Sequence, residues 1–338
     1  MPYELEDVES PVPTVPRRGP DAPPRKVVVG TVIFGAGGDY PGLRARAGEL
    51  AALVEELAAR AARRRPDRGL DLVVLPEAVL TPNAELAKDR SIAADDPVLD
   101  VFRDLARRYR SYLVVPLDLV EATPSGSVYS NAALLLDRRG ALVGTYRKAH
   151  PVGVGAGSTL EGGVRPGAEY PVFDCDFGRL GIQICWDVVY DDGWAALAAR
   201  GAEIVAFSSA SPATIRTAAH AARHRYFVVS STPRDNATVY EPTGLVAARI
   251  EQHGEVLVHE LDLSHVLLGW SPTLRDGAAL REKYGERVGF HYDDREDIGL
   301  FWSNDPTTSV EAMVRSIGVE PIDAQIARNL AQRGEALR

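Results

Sequence analysis

Three residues of this 338-residue chain join reactive chemistry to an informative position. Glu77 ends the apolar run LDLVVLPE, Lys148 ends GALVGTYRK, and Cys185 ends GRLGIQIC. Apolar runs of this length read as buried strands, and in layered α/β folds the strand ends border a crevice where separate segments converge. The three types together suit attack on an unreactive carbon such as that of an amide. A thiol is mostly protonated at neutral pH, so a nucleophilic Cys185 needs a base in reach, and Glu77 is of the right type. Attack creates a negative oxygen, which calls for preorganised donors such as the Lys148 ammonium. Taken singly, each residue also has an ordinary reading: Glu77 as a loop cap or ion pair, Lys148 as a solvated charge, Cys185 as a small core side chain.

The elements that must position them are legible as apolar patterns. Residues 1–25 carry seven prolines among acidic and small residues, a composition without an apolar face, and read as an extended arm. KVVVGTVIF (26–34) is a strand; residues 43–65 place Leu50, Leu53, Val54 and Leu57 at helical spacing; LDLVVLPEAVLTP is a strand ended by Pro76. A helix over 98–110 and a strand over 112–120 continue the alternation of an α/β layered domain. After Tyr129 the runs suit antiparallel pairing, with hairpin turns at Arg138–Gly140 and Asp176–Gly178. A second alternation follows: helix near 191–200, strand 203–209, helix near 213–224, strand 226–231, then strand-rich residues 237–261. Two comparable halves of this kind form two sheets packed face to face with helices outside. The division expected is an arm over 1–25, one domain over 26–263 and a C-terminal extension over 264–338. That extension, with Trp270, Tyr284, Phe290, Tyr292, Phe301 and Trp302, either folds back over its own domain or embraces a neighbouring subunit and shapes the site entrance.

Composition narrows the classes. With 38 Lys+Arg against 47 Asp+Glu the net charge is -9, which disfavours nucleic acid and anionic lipid as partners. No apolar run approaches the roughly 20 residues of a membrane span, and the acidic, Pro-rich start is unlike a secretory signal, so a soluble cytoplasmic protein is expected. Two cysteines are too few for a disulfide framework or a structural zinc site.

The order and context of the three residues resemble the nitrilase superfamily of carbon-nitrogen hydrolases over roughly residues 26–262. The matching stretches are LVVLPEAVLTP, GTYRKAHP and FGRLGIQICWDVVY, with GAEIVAFSSASP also similar. The resemblance implies Glu77 as general base, Lys148 as electrophilic stabiliser and Cys185 as nucleophile. It also implies a four-layer αββα sandwich that commonly dimerises to extend the layers, with no metal and no organic cofactor. A further carboxylate of the family precedes a Pro-Gly after the lysine; here Glu161 fits that place, with Glu169 as the competing assignment. The backbone N–H of Trp186, just after the nucleophile, is a second oxyanion donor. Lys148 couples the ionisations of Glu77 and Cys185, so a bell-shaped rate profile is expected.

Departures bear on the substrate. True nitrilases typically follow Cys-Trp with Glu, whereas Asp187 stands here, and HPVGVG after Lys148 is unlike the usual nitrilase stretch. Hydrolysis of a small non-peptide amide or N-carbamoyl compound is therefore preferred over nitrile hydrolysis, with acyl transfer and a noncatalytic oligomerising role as lesser alternatives. The family's Arg-Ala-x-Glu-Asn segment is replaced by HAARHR. His220 and His224 are four apart on a helix, a metal-binding spacing for which the sequence indicates no third ligand, so they read as a structural or surface pair. Asp191 and Asp192 read as a helix-start cap. Ser208 to Ser211 follow a strand near the pocket and suit either a turn or substrate contact. The glycines at 153, 155, 157, 162 and 163 permit backbone turns but form no phosphate loop. Cys175 lies across a hairpin from Cys185 and is read as structural, a regulatory disulfide being the lesser option.

Overall fold

The structure is a computed structural model that describes residues 23–35, 39–81, 84–153, 159–250, 252 and 254–338. Most of the N-terminal arm, and Gly155 and Gly157 of the glycine-rich loop, lie outside the described residues. The first half of the chain contributes β1 (Lys26–Val32), α1 (Leu43–Arg64), β2 (Leu72–Val74), α2 (Asp100–Tyr109), β3 (Tyr112–Thr123), β4 (Gly126–Leu136) and β5 (Leu142–Arg147). The second contributes β6 (Val172–Asp174), β7 (Arg179–Ile184), α3 (Asp192–Ala199), β8 (Ile204–Ser208), α4 (Thr214–His224), β9 (Phe227–Ser231), β10 (Ala237–Tyr240) and β11 (Val246–Ile250). β12 (Val256–Asp262) then crosses back. The strands form two six-stranded sheets, ordered β12-β1-β2-β3-β4-β5 and β11-β10-β9-β8-β7-β6.

Alternation along the strands explains the layering, because successive side chains point to opposite faces. In β1, Val27 and Val29 enter the core between the sheets, while Val28 and Val32 face the helices. In β4, Ala133 and Leu135 enter the central core, and Ala132, Leu134 and Leu136 meet α1 and α2. β8 repeats the pattern in the other sheet, with Ile204 and Ala206 inward and Val205 and Phe207 toward α3 and α4. Strands buried on both faces read as continuous apolar runs. α1 closes the outer face with Leu50, Val54, Leu57 and Ala61, and burial of each leucine or valine side chain contributes about 1.5–3 kcal/mol. The expected αββα sandwich is the observed arrangement, and both expected hairpins, β4–β5 and β6–β7, pair antiparallel.

The extension after residue 263 builds a third, smaller sheet from β13 (Val266–Gly269), β14 (Val288–Asp293) and β15 (Ile298–Ser303), ordered β13-β15-β14, with α5 (Ala278–Tyr284), α6 (Val310–Arg315) and α7 (Ile322–Ala336). It has a core of its own around Leu268, Leu280, Phe301 and Met313, but Leu267 and Leu300 belong to the core between the large sheets. The extension thus packs back on its own chain. Among the described residues no helix is long and apolar enough to cross a membrane.

Cys175 lies in the turn before β7 and Cys185 just after it, so a six-residue strand of about 3.3 Å per residue separates them. A disulfide needs Cα atoms within about 7 Å, and both cysteines are free. Asp191 sits at the start of α3 without making a side-chain cap bond. Its carboxylate turns instead to His224, 2.8 Å away.

Candidate active site

Glu77, Lys148, Glu161 and Cys185 line one cleft of about 840 Å³. Each arrives by a different route. Glu77 follows β2, the short central strand of the first sheet, and Lys148 follows β5 at that sheet's edge. Cys185 follows β7 in the opposing sheet and opens a 3-10 turn over Cys185–Val189. Because the two sheets pack face to face, their strand ends come together at the rim of the central core, and the cleft forms there.

Glu77 and Lys148 are buried, at 4% and 1% exposure. Buried charges must be paired and hydrogen-bonded, and here they are. The Lys148 ammonium donates to Glu77 Oε1 at 2.9 Å and to Glu161 Oε1 at 2.6 Å. Burial alone would lower the Lys148 pKa, but Glu77, Cys185 and Glu161 outweigh it and hold the ammonium well above its ordinary range. The Asn131 amide bridges the two acids, donating to Glu77 Oε1 at 2.8 Å and to Glu161 Oε2 at 3.0 Å. The Ala210 N–H donates to Glu77 Oε2 at 2.7 Å.

Cys185 has a φ of 45°, in the left-handed region that costs a residue with a side chain about 1–2 kcal/mol. The sharp turn from strand to 3-10 helix imposes it, and Asp187 holds the turn in place. Its Oδ2 accepts the Ile184 N–H at 2.9 Å and the Tyr146 hydroxyl at 2.7 Å, while its Oδ1 accepts the His150 N–H at 2.9 Å. Burial pushes the Cys185 thiol up to about 12, with the Glu77 carboxylate adding to the effect and Lys148 opposing it. The resting nucleophile is therefore a thiol whose proton must be removed during reaction. The Ser209 side chain also opposes the rise.

Glu161 also has positive φ, at 40°, in a turn whose next residue, Gly162, has φ 72°. A side chain on Gly162 would collide with the Glu85 carbonyl oxygen, so glycine is required where the loop crosses residues 84–86. Glu161 Oε1 accepts the Val152 N–H at 2.9 Å, and Arg90 donates to its carbonyl at 2.7 Å. Glu169 is exposed on the same loop, and Glu161 is the acid that meets Lys148. Trp186 is 40% exposed and its ring lies outside the residues lining the cleft; its N–H, second in the 3-10 turn, has no carbonyl within that turn to donate to.

Sequence reasoning missed Asn131, Arg90, Asp118 and the Ala210 N–H. Asn131 had a faint signal as the one polar residue opening NAALLLD. Arg90 pairs with Asp118 at 2.9 Å across the cleft wall, and neither stood out. The serines at the end of β8 act mainly on the backbone: Ser208 donates to the Leu75 carbonyl at 2.8 Å and Ser209 to that of Ser211 at 2.6 Å.

His220 and His224 share one face of α4, next to Asp191. His224 Nε2 is 2.8 Å and His220 Nδ1 is 3.5 Å from Asp191 Oδ1. The structure thus supplies the third ligand-type group that the sequence did not indicate. None of the three lines the cleft.

The carbon-nitrogen hydrolase family model matches residues 40–267. Among curated proteins, the chain is 29% identical over 194 residues to deaminated glutathione amidase of Yersinia enterocolitica, covering 55% of this chain and 64% of that protein. It is 30% identical over 118 residues to citrullinase of Francisella tularensis, covering 34% of this chain and 39% of that protein. The matches thus span less than two thirds of the length of either relative. Among solved structures, Nit3 of Saccharomyces cerevisiae, a member of branch 10 of the nitrilase superfamily, superposes with a TM-score of 0.58 at 22% identity, covering 70% of this chain and 90% of that one. With a model matching well over half its residues and a sandwich of the same build, the chain belongs to the carbon-nitrogen hydrolase family.

Proposed function

We propose that the protein hydrolyses a non-peptide carbon-nitrogen bond of a small amide or N-carbamoyl compound through a thioester on Cys185. The observation that carries this reading is the arrangement around Glu77. One carboxylate oxygen is tied to Lys148 and Asn131, the other to the Ala210 N–H, and Cys185 lines the same cleft.

In this reading Glu77 takes the thiol proton as the sulfur attacks the carbonyl carbon. The carbonyl oxygen becomes an oxyanion facing the Lys148 ammonium and the Trp186 N–H. Collapse breaks the C–N bond while Glu77 returns its proton to the departing nitrogen, which leaves as ammonia or an amine. A water then gives a proton to Glu77 and its oxygen to the thioester carbon; the second collapse frees the acid and restores the thiol. Glu161 orients Lys148 and balances part of its charge. No step calls on a metal or an organic cofactor. The curated relatives include amidases, a β-ureidopropionase of Arabidopsis thaliana at 28% identity and a bifunctional nitrilase/nitrile hydratase of Lupinus angustifolius at 26% identity. Asp187 after Cys-Trp supports the amide side of that range.

The test is a panel of amides, N-carbamoyl amines and nitriles given to the wild type and to Cys185→Ala, reading ammonia release and covalent adducts by intact mass. Turnover with an acylated Cys185 in the wild type alone is expected. No acylation by any substrate, or full turnover by Cys185→Ala, overturns the reading, and a nitrile consumed faster than its matching amide reverses the substrate preference.

A further inference from the structure

We infer that Asp191, His220 and His224 form a zinc-binding site separate from the catalytic cleft. The three ligand-type atoms, one from each side chain, lie within 4.8 Å of one another. A tetrahedral zinc with ligands at about 2.0–2.1 Å spaces them by about 3.3 Å. The two imidazole-to-carboxylate distances here, 2.8 and 3.5 Å, straddle that value. His220 and His224 sit four residues apart on α4, so the helix itself sets their spacing.

The tautomer of His220 is set by its surroundings. Its Nε2 is 3.0 Å from the Val188 carbonyl oxygen, a group that only accepts, so the ring proton resides there and the Nδ1 lone pair faces Asp191. A metal-binding histidine commonly has its other nitrogen donating to a carbonyl in this way. The ring is also clamped flat against Trp194, with centroids 4.4 Å apart and planes 2° from parallel. Two imidazoles and one carboxylate suit zinc, and the Asp191 side chain, 45% exposed, leaves a coordination position open to water.

One group opposes the ion. Arg223 Nε lies 3.4 Å from Asp191 Oδ2, yet its side chain is 61% exposed and can turn into solvent. Zinc here would tie α4 to Asp191 at the start of α3, just past the 3-10 turn that begins with Cys185; His220 is itself bonded to Val188 of that turn, and Trp194 donates to the Asp187 carbonyl at 3.0 Å. The site would brace the turn without touching the reacting atoms.

The experiment uses the full chain carrying Cys185→Ser, so that the active-site thiol does not compete for metal, after treatment with a chelator. Zinc is titrated calorimetrically, and cobalt(II) serves as a spectroscopic probe of coordination. One equivalent of zinc is expected, with tetrahedral cobalt bands and a raised Tm. Asp191→Asn, at a half-exposed position that tolerates the change, should weaken binding at least tenfold, and Arg223→Gln should tighten it. His224→Gln should abolish the cobalt bands. Absence of zinc binding, or affinity unchanged by Asp191→Asn, overturns the assignment. Neither result bears on the hydrolase reading, which is judged by turnover alone.

Discussion

Glu161 holds the Lys148 ammonium at 2.6 Å, closer than Glu77 does at 2.9 Å. The lysine is therefore shared between two acids, and the one nearer to it comes from a loop rather than a strand end. Glu161→Gln keeps the shape and removes the charge. The rate should fall at least tenfold at neutral pH, because the lysine loses the group that positions it. The substitution also removes one of the carboxylates that raise the Lys148 pKa, so the alkaline limb of the rate profile should move to lower pH. A profile with an unmoved alkaline limb would refute the shared-lysine account.

Asp187 is 1% exposed and accepts from two backbone N–H groups and the Tyr146 hydroxyl around the nucleophile turn. Asp187→Asn leaves one side-chain oxygen to do the work of two and sets an amide N–H against a donor. Breaking such a buried, charge-assisted network should cost about 2–4 kcal/mol of stability, read by denaturant unfolding. Covalent labelling of Cys185 by substrate should slow as the turn loses its brace. Full stability with a normal labelling rate would show that Asp187 holds nothing in place.

His150 is linked to the same carboxylate, its Nδ1 3.1 Å from Asp187 Oδ1, and that hydrogen bond raises its pKa above the ordinary 6.5. A group raised in the folded state contributes stability that is fully present below its unfolded pKa and is lost as pH rises through the folded value. Stability should thus decline from about pH 6.5 upward, and in His150→Gln this decline should flatten. Parallel unfolding curves across pH 5–9 for the two proteins would contradict it.

The extension after residue 263 has two unequal parts. α7 buries no residue fully, whereas Leu267 and Leu300 sit in the core between the sheets. A chain stopped after residue 324 should lose under about 1 kcal/mol, a Tm change of roughly 2–4 °C. One stopped after residue 264 should fail to fold stably, since removing even a single buried leucine costs about 2–5 kcal/mol. The full chain is expected to scatter light as a dimer or larger homo-oligomer, and a strictly monomeric mass would reject that expectation.

Strand ends were the readable part of the site. Glu77, Lys148 and Cys185 each close a run of apolar residues, and such runs betray buried strands without any knowledge of partners. Glu161 was reached only through its place before Pro166 and Gly167, since its own segment has no periodicity. Asn131 and the Ala210 N–H escaped notice because one lies inside a strand and the other belongs to a backbone, which has no sequence signature. Cys175 and Cys185 stand at opposite ends of β7, a separation that the register of the β6–β7 hairpin decides.

Sequence alone determined the alternation of strands and helices, the layered sandwich and the three reactive strand ends, because burial on one or two faces writes its period into the chain. Tertiary structure decided which groups meet. Glu77 and Ala210 are 133 residues apart and Asp191 and His224 are 33 apart, and both contacts depend on how sheets and helices pack. Hydrogen bonds across such distances are set by register and layer spacing, which no local pattern records.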